Sequence, residues 1–245
     1  MTALNSTNGK DFYIPVKTKF SPKKIKSDHV EKAFNFAYGM TFGQEGAHRR
    51  TRSGGSHQRK NGEIFCDTFQ GKLAEYVVYQ TFSEMGVTCP EPDTKKWNLG
   101  KWDDADFIIN QKSINVKSMA FFSNLLLLET KDWDKIGTYL PNNKNYDYFL
   151  IVRIQPEIKA KFRQQRMLYS DDISFNEITK LINKQSFSAD IPGFINNAFL
   201  KQIIQKKQIL PKGSMLNGRT KMDAENFYIL SCDFIELTKI TDLLK

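Results

Sequence analysis

The segment from residue 102 to residue 118 constrains the fold of this chain more than any other stretch. It contains two short apolar runs, at residues 107–109 and 114–116, on either side of a polar turn. This pattern predicts a β-hairpin, because turn residues interrupt two runs that favour extended structure. Successive side chains of a strand alternate between faces, so Asn115 and Lys117 are expected on one face of the second strand.

Acidic side chains stand at the mouth of this hairpin. Asp106 opens the first strand, and Asp104, two residues earlier, is expected on the same face. The hairpin then gathers carboxylate oxygen, the amide of Asn115 and the ammonium of Lys117 on one side. Hard divalent cations take oxygen ligands, so such a set is suited to holding a cation beside a phosphate.

These residues resemble the signature of the PD-(D/E)XK nuclease superfamily, which includes most type II restriction endonucleases. That signature is an aspartate opening one strand, followed on the next strand by an acid, any residue and a lysine. Asp106 matches the first position, and residues 115–117 stand where the tripeptide belongs. Residues 71–79 resemble the upstream helix of the family, with Glu75 in the place of its glutamate. The resemblance covers residues 62–154.

The resemblance implies an α/β fold with a restriction-endonuclease-like mixed central sheet flanked by helices, together with a helical insertion. It implies an endodeoxyribonuclease that depends on Mg²⁺, with Mn²⁺ able to substitute, and that cuts double-stranded DNA at a short specific site. By family analogy the chain is expected to form a homodimer and to have a cognate DNA methyltransferase as its genetic partner.

The resemblance also implies roles for individual residues. Asp106 is expected to be the principal metal ligand and the backbone carbonyl of Val116 a second one. Glu75 approaches the metal directly or through bound water, and Lys117 orients the attacking water or stabilises developing negative charge. Asp104 takes the role of Asp106 if the strand register differs.

The chain departs from the family pattern at Asn115, where the second acid is expected. Three explanations stay open from the sequence. The amide oxygen serves as a neutral ligand, or the asparagine is an inactivating replacement of an acid, or the protein is a nuclease-like fold that does not cleave. Restoration of the acid by Asn115→Asp separates these explanations.

The charge of the chain points to a polyanionic partner. Lys and Arg number 36 against 27 Asp and Glu, which gives a formal net charge of +9. One glycine-containing stretch is basic without any acid, and we expect it to contact DNA through Arg49, Arg50, Arg52, His57, Arg59 and Lys60. Farther along the chain, Asn217, Arg219 and Asn226 are further candidates for DNA contacts.

Composition narrows the class of protein. With 245 residues, 40% of them hydrophobic and 26% charged, the chain is long enough for one well-filled core. Three scattered cysteines give no disulfide framework or zinc motif, and no apolar run is long enough to cross a bilayer. We therefore expect an intracellular, cytoplasmic protein of bacterial type without a membrane partner. Two rivals remain: a structure-specific repair or phage nuclease of the same fold, and a DNA-binding protein that does not cleave.

The chain is expected to form a single domain of residues 1–245. A basic arm occupies residues 1–27, and a catalytic core with a basic loop at 48–61 occupies residues 28–154. A helical region at 155–210 and a C-terminal strand and tail at 211–245 follow. Within these parts, helices are predicted at 28–40, 67–85, 157–167, 174–184 and 194–208, and strands at 146–154 and 226–235.

Overall fold

The structure is a computed structural model, and it describes residues 1–43, 58–94 and 105–244. The helices in this part of the chain are α1 (Ser27–Thr41), α2 (Asn61–Glu84), α3 (Ile158–Gln164), α4 (Phe175–Asn183), α5 (Asn197–Gln205) and α6 (Ile240–Leu243). The longer strands are β4 (Phe107–Ile109), β5 (Lys112–Ala120), β6 (Leu125–Glu129), β7 (Tyr148–Gln155), β8 (Ser188–Asn196) and β12 (Asn226–Leu230). The short strands are β1 (Asn5–Ser6), β2 (Asp11–Tyr13), β3 (Lys23–Lys24), β9 (Ile209–Leu210), β10 (Met215–Leu216) and β11 (Thr220–Lys221).

A mixed five-stranded sheet lies at the centre of the fold, in the order β3-β8-β7-β5-β4. β5 and β7 run parallel, and the other neighbours are antiparallel. Every residue of β7 except the last is buried. A strand buried on both faces needs a continuous apolar run, and such a run led to the prediction of a strand at residues 146–154.

Different layers cover the two faces of this sheet. Helices α1 and α2 pack on one face and form the larger core with Phe107, Ile114 and Leu150. A second sheet, β6-β12-β9, packs with α5 against the other face through Phe149 and Ile151. The predicted α/β class is therefore confirmed. In contrast with the expectation of helices on both faces, one face is covered mainly by a sheet.

The sequence suggested that residues 1–27 form an arm, but in the structure they pack against the rest of the protein. β2 pairs with β1 and β10, which extends a small four-stranded sheet, and Leu4 is buried among residues from β9 and β12. The backbone N–H of Thr2 donates to the carboxylate of Asp233 at 2.6 Å. A few apolar residues in a lysine-rich stretch are enough to hold it against the C-terminal part of the chain.

The predicted helical region at 155–210 contains α3, α4 and α5, but it also contains the nine-residue strand β8. Pro192 and Gly193 had suggested a helix start instead of a strand. Gly193 has φ of 151°, and a Cβ atom there would lie 2.4 Å from the carbonyl oxygen of Ile235. The glycine therefore permits close approach of the C-terminal backbone to the strand.

Helix α2 begins six residues before its predicted start. The Glu63 carboxylate accepts the backbone N–H of Lys60 at 3.0 Å, and the Gly62 N–H donates to the carbonyl of Ser170. A Cβ atom at Gly62 would lie 2.2 Å from the carbonyl oxygen of Met167, so only glycine lets the helix start against this loop. In the described ranges, no helix is both long and apolar enough to cross a membrane.

Candidate active site on the β4–β5 hairpin

The predicted hairpin is confirmed, and its register decides which side chains meet. Phe107 of β4 lies opposite Ile114 of β5, and both side chains are buried in the core beneath α1 and α2. The alternation of the strands then places Asp106 and Asn115 next to each other on the opposite face. Lys117, two residues beyond Asn115, shares this face, as the sequence predicted.

A hydrogen bond fixes Asp106 at the edge of β5. The backbone N–H of Val116 donates to Asp106 Oδ2 at 2.6 Å. β4 pairs with β5 only as far as Ile114, so the carboxylate occupies the place where a longer β4 would have accepted this bond. In an extended residue the N–H and C=O point to the same edge, so the Val116 carbonyl is directed to the side where Asp106 lies.

Lys117 lies in a low-dielectric environment between two acids. Burial lowers the pKa of its amino group, and the negative charges of Asp106 and Asp132 oppose this shift. The acid-lysine pair predicted from the sequence is thus brought together in the fold. An ammonium beside a carboxylate can stabilise negative charge that develops on a phosphate oxygen.

Asp132 is a site residue that the sequence analysis missed. It ends a 3₁₀ turn after β6, and the next residue, Trp133, packs its ring edge-on at 5.5 Å from the ring of Phe149. Phe149 is paired with Asn115 across β5 and β7, so the turn lies over the site face. The only sequence signal was an acid just after a leucine-rich run, and the pairing that brings it to Lys117 is long-range.

Asn115 contributes an oxygen that lacks a donor. Its Oδ1 atom is buried and accepts no hydrogen bond from the residues that the structure describes. A buried acceptor without a donor costs about 1–3 kcal/mol, which a cation bound at this oxygen would offset. The amide thus fits the role of a neutral oxygen ligand better than that of a structural hydrogen-bonding residue.

Glu75 stands on α2, which packs against the face of β5 opposite to Lys117. This placement follows from the bond at 3.4 Å between Gln70 of α2 and Ser118, the neighbour of Lys117 in the strand. Glu75 Oε2 forms an ion pair at 2.6 Å with Lys72, whose ammonium is nearly buried. The carboxylates that act on the Lys117 charge are Asp106 and Asp132, and the predicted catalytic role of Glu75 stays a prediction.

Three groups on the hairpin carry oxygen atoms of the kind that could serve as magnesium ligands. Asp106 offers carboxylate oxygen, Asn115 offers its amide oxygen and Val116 offers its carbonyl, and hard cations prefer such ligands. No group of three or more His, Cys, Asp or Glu side chains arranged to hold a metal occurs within residues 1–43, 58–94 and 105–244. The predicted ligand Asp104 lies outside those ranges.

The predicted DNA contacts in the basic loop are only partly described. Arg49, Arg50, Arg52 and His57 lie outside the described residues. Arg59 contacts Asp67 at 2.9 Å, and Lys159 contacts the other oxygen of the same carboxylate at 2.5 Å. Lys60 forms an ion pair at 2.6 Å with Asp171. Arg59 and Lys60, two of the predicted DNA contacts, are thus paired with acids of the protein itself.

Asn217 and Arg219 belong to the β10–β11 turn. Asn217 has φ of 51°, its N–H donates to the carbonyl of Phe12 at 2.7 Å, and its side chain accepts the N–H of Ile14 at 3.1 Å. Its observed role is therefore to hold the turn against β2, whereas Arg219 is exposed. Asn226 is buried and donates to the carbonyl of Ala224, which removes it from the candidate DNA contacts.

No family model, no curated protein and no solved structure matches this chain.

Proposed function

We propose that this protein is a Mg²⁺-dependent endodeoxyribonuclease of the type II restriction kind, which hydrolyses phosphodiester bonds at a short specific site in duplex DNA. One observation carries the proposal. The hydrogen bond from the Val116 N–H to Asp106 puts a carboxylate beside the Asn115-Val116-Lys117 tripeptide, on the face to which Lys117 projects. The net charge of +9 supports a polyanionic substrate.

Each residue has a distinct part in this proposal. Asp106, Asn115 and the Val116 carbonyl hold the ion, and Lys117 supplies positive charge where a phosphate oxygen becomes more negative. Asp132 positions the Lys117 ammonium from the far side. When bound, Mg²⁺ neutralises phosphate charge and lowers the pKa of a coordinated water. Asp104 remains a candidate for completing the ion's ligand shell, whereas Glu75 stands on the helix that covers the opposite face of β5 and pairs with Lys72.

Incubation of unmethylated phage DNA with the protein, with and without Mg²⁺, tests the proposal. Discrete fragments that require Mg²⁺ are the expected result. A smear or structure-dependent nicking would indicate a repair or phage nuclease instead. We further propose that the active unit is a homodimer acting inside the cell, with a DNA methyltransferase as genetic partner, because a palindromic duplex site matches a two-fold symmetric protein.

A second function is a DNA-binding protein that does not cleave. The observation favouring it is Asn115, since an amide brings no negative charge to the ion and a site with few carboxylates binds Mg²⁺ weakly. Binding that weakens steeply with salt, together with no cleavage in any divalent metal even after Asn115→Asp, is the result that favours this function.

A further inference from the structure

An aromatic ring stands exposed in the turn that follows β5. Phe122 is 63% exposed, although burial of a phenylalanine ring is strongly favourable in water. The chain turns at this point, with the N–H of Ser123 donating to the carbonyl of Ala120 at 2.9 Å. Single exposed apolar side chains are common on protein surfaces, so exposure alone does not indicate a binding site. The residues that surround this ring do indicate one.

Other rings support Phe122 from below. Its ring meets Phe121 edge-on at 5.3 Å, and Phe121 in turn lies 5.7 Å from Phe20. Phe20 is placed over the guanidinium of Arg153 at 5.5 Å. Arg153 is 1% exposed and pairs with Asp190 through two nitrogens, at 2.6 and 2.8 Å. The three rings therefore form a cluster of edge-on and tilted contacts, and Phe20 lies over a guanidinium that an ion pair holds in place.

The backbone of the turn is held as well. Asn124 is buried, and its side chain donates to the carbonyl of Phe122 at 3.2 Å while it accepts the N–H of Thr18 at 2.8 Å. Arg153 also donates to the carbonyls of Thr18 and Lys19. The two segments that carry the rings are thereby joined, so the exposed ring is held in position before any ligand binds. Pre-organisation of this kind reduces the entropy cost of binding.

Two exposed lysines border the rings. Lys17 and Lys19 flank Thr18, and neither ammonium has an acid partner within 4.0 Å among the described residues. Asp190, an acid of this neighbourhood, is engaged by Arg153. An exposed ring beside unpaired positive charges is the combination with which proteins hold single nucleic-acid strands: the bases stack on the ring, and the cations meet the phosphates.

The rings lie in line with the candidate active site. The ladder between β5 and β7 continues to the Phe121 N–H, which donates to the carbonyl of Ile154. Alternation therefore puts Phe121 on the same face as Lys117 and Asn115. Three residue steps separate Lys117 from Ala120, and five separate it from Phe122, a span of at most about 17 Å along an extended chain. That length corresponds to at most about five base steps of DNA at about 3.4 Å each.

We propose that Phe122, supported by Phe121 and Phe20, is a stacking platform for an unstacked base of the DNA strand, within about five nucleotides of the bond that is cut. Lys17 and Lys19 contact the phosphates of the same strand. That the polymer is DNA rests on the function proposed above. The platform itself rests on the rings and the two lysines.

Binding of a short single-stranded oligonucleotide, measured without metal by fluorescence anisotropy, tests the platform apart from cleavage. Phe122→Ala is expected to weaken binding about tenfold, and Phe122→Trp to retain it, because base–aromatic stacking is lost in the first variant only. Tyr169, which is 61% exposed on another part of the surface, provides the matched control, and Tyr169→Ala is expected to bind as the wild type does. The double variant Lys17→Gln/Lys19→Gln is expected to lower the salt slope by about two.

A 2-aminopurine probe locates the contact. With the probe placed within about five nucleotides of the cut bond, wild-type protein should change its fluorescence, and Phe122→Ala should not. The platform is overturned if Phe122→Ala binds the oligonucleotide as tightly as the wild type does, or if Tyr169→Ala loses as much affinity as Phe122→Ala. Rings that bind a protein ligand and not a base would also leave the affinities of Phe122→Ala and the wild type equal. A wild-type protein that binds through Phe122 but never cleaves would overturn the nuclease and leave the platform. Cleavage that is unaffected by Phe122→Ala, together with no fluorescence change of the probe, would overturn the platform and leave the nuclease.

Discussion

Asp106 and Val116 are joined by a hydrogen bond of 2.6 Å from the backbone N–H of one to the carboxylate of the other. The acid thus replaces a missing residue of β4 at the edge of β5. The backbone of the strand therefore helps to set the position of this carboxylate. The Lys117 side chain is set by the same strand, so the carboxylate and the ammonium keep a constant relationship.

Replacement of Asn115 by aspartate should make the protein respond more strongly to Mg²⁺. The new carboxylate would be buried beside Asp106 without a donor, so metal-free Asn115→Asp should lose about 1–3 kcal/mol of stability. Mg²⁺ should restore most of this loss, because the ion binds the folded state only. Thermal unfolding with and without Mg²⁺ measures both effects. The exposed Asn145→Asp serves as control, and equal Mg²⁺ responses in the two variants would contradict the ligand role of Asn115.

Replacement of Lys117 by methionine should abolish cleavage without loss of stability. Burial lowers the pKa of this amine from its usual 10.5, so the folded protein disfavours the charged form. At neutral pH Lys117→Met is therefore expected to be at least as stable as the wild type, because it removes a charge whose burial is unfavourable in the folded protein. Loss of the positive charge should slow cleavage by about 100-fold or more.

The pH dependence of this stability difference has a definite sign. Because the folded-state pKa is below 10.5, the unfolded chain binds the proton more tightly, and the cost of burying the charge is full below the folded-state pKa. The advantage of Lys117→Met should therefore shrink as the pH rises towards 10.5. Lys112→Met, at an exposed site on the same strand, is the matched control. Urea unfolding over this pH range provides the measurement, and a large loss of stability in Lys117→Met would refute the expectation.

Removal of the acid that holds Arg59 should strengthen DNA binding. Asp67 pairs with both Arg59 and Lys159, so Asp67→Asn releases two cations. Affinity for duplex DNA at low salt should rise about fivefold, with a salt dependence steeper by about one to two phosphate contacts. Glu91→Gln, which releases the exposed Lys32 instead, is the matched comparison. If both variants gain equally, the increase reflects net charge alone and Arg59 is not a DNA contact.

The stability of the protein should fall as the pH drops below neutrality, in part because of His29. Its ring is buried and lies 5.1 Å from the ring of Tyr76, and burial lowers its pKa below 6.5. The unfolded chain therefore binds the proton first, so stability is full above pH 6.5 and is lost as the pH falls towards the folded-state pKa. His29→Phe should reduce the slope of unfolding free energy against pH by up to about 1.4 kcal/mol per pH unit. An unchanged slope would show that other groups cause the loss.

The sequence predicted the parts of the fold that depend on local pattern. Alternation identified the β4–β5 hairpin and the face shared by Asn115 and Lys117, and helical spacing identified α1. β8 was missed because Asp190, Pro192 and Gly193 resemble a turn, whereas the strand is stabilised by long-range pairing with β7. Local preference is a weak guide where such tertiary contacts decide.

The candidate site was predictable to a similar extent. Asp106 and Lys117 belong to one hairpin, so their meeting follows from a single short-range register. Asp132 reaches the site through the packing of Trp133 on Phe149 of another strand, which no local pattern encodes. Local pattern was also insufficient for Arg59. Its basic sequence context predicted a DNA contact, but the fold places Asp67 beside it.

Cleavage of unmethylated DNA by Asp106→Asn and by Asp147→Asn tests whether Asp106 is the acid of the active site. Both aspartates accept a backbone N–H of β5: Asp106 accepts that of Val116 at 2.6 Å, and Asp147 accepts that of Ser113 at 2.9 Å. The two substitutions therefore make a matched change at two positions of one strand. We predict Mg²⁺-dependent cleavage by the wild type and by Asp147→Asn. In Asp106→Asn the cleavage rate should fall by about 100-fold or more, while DNA binding is retained. Equal cleavage by the two variants would contradict it.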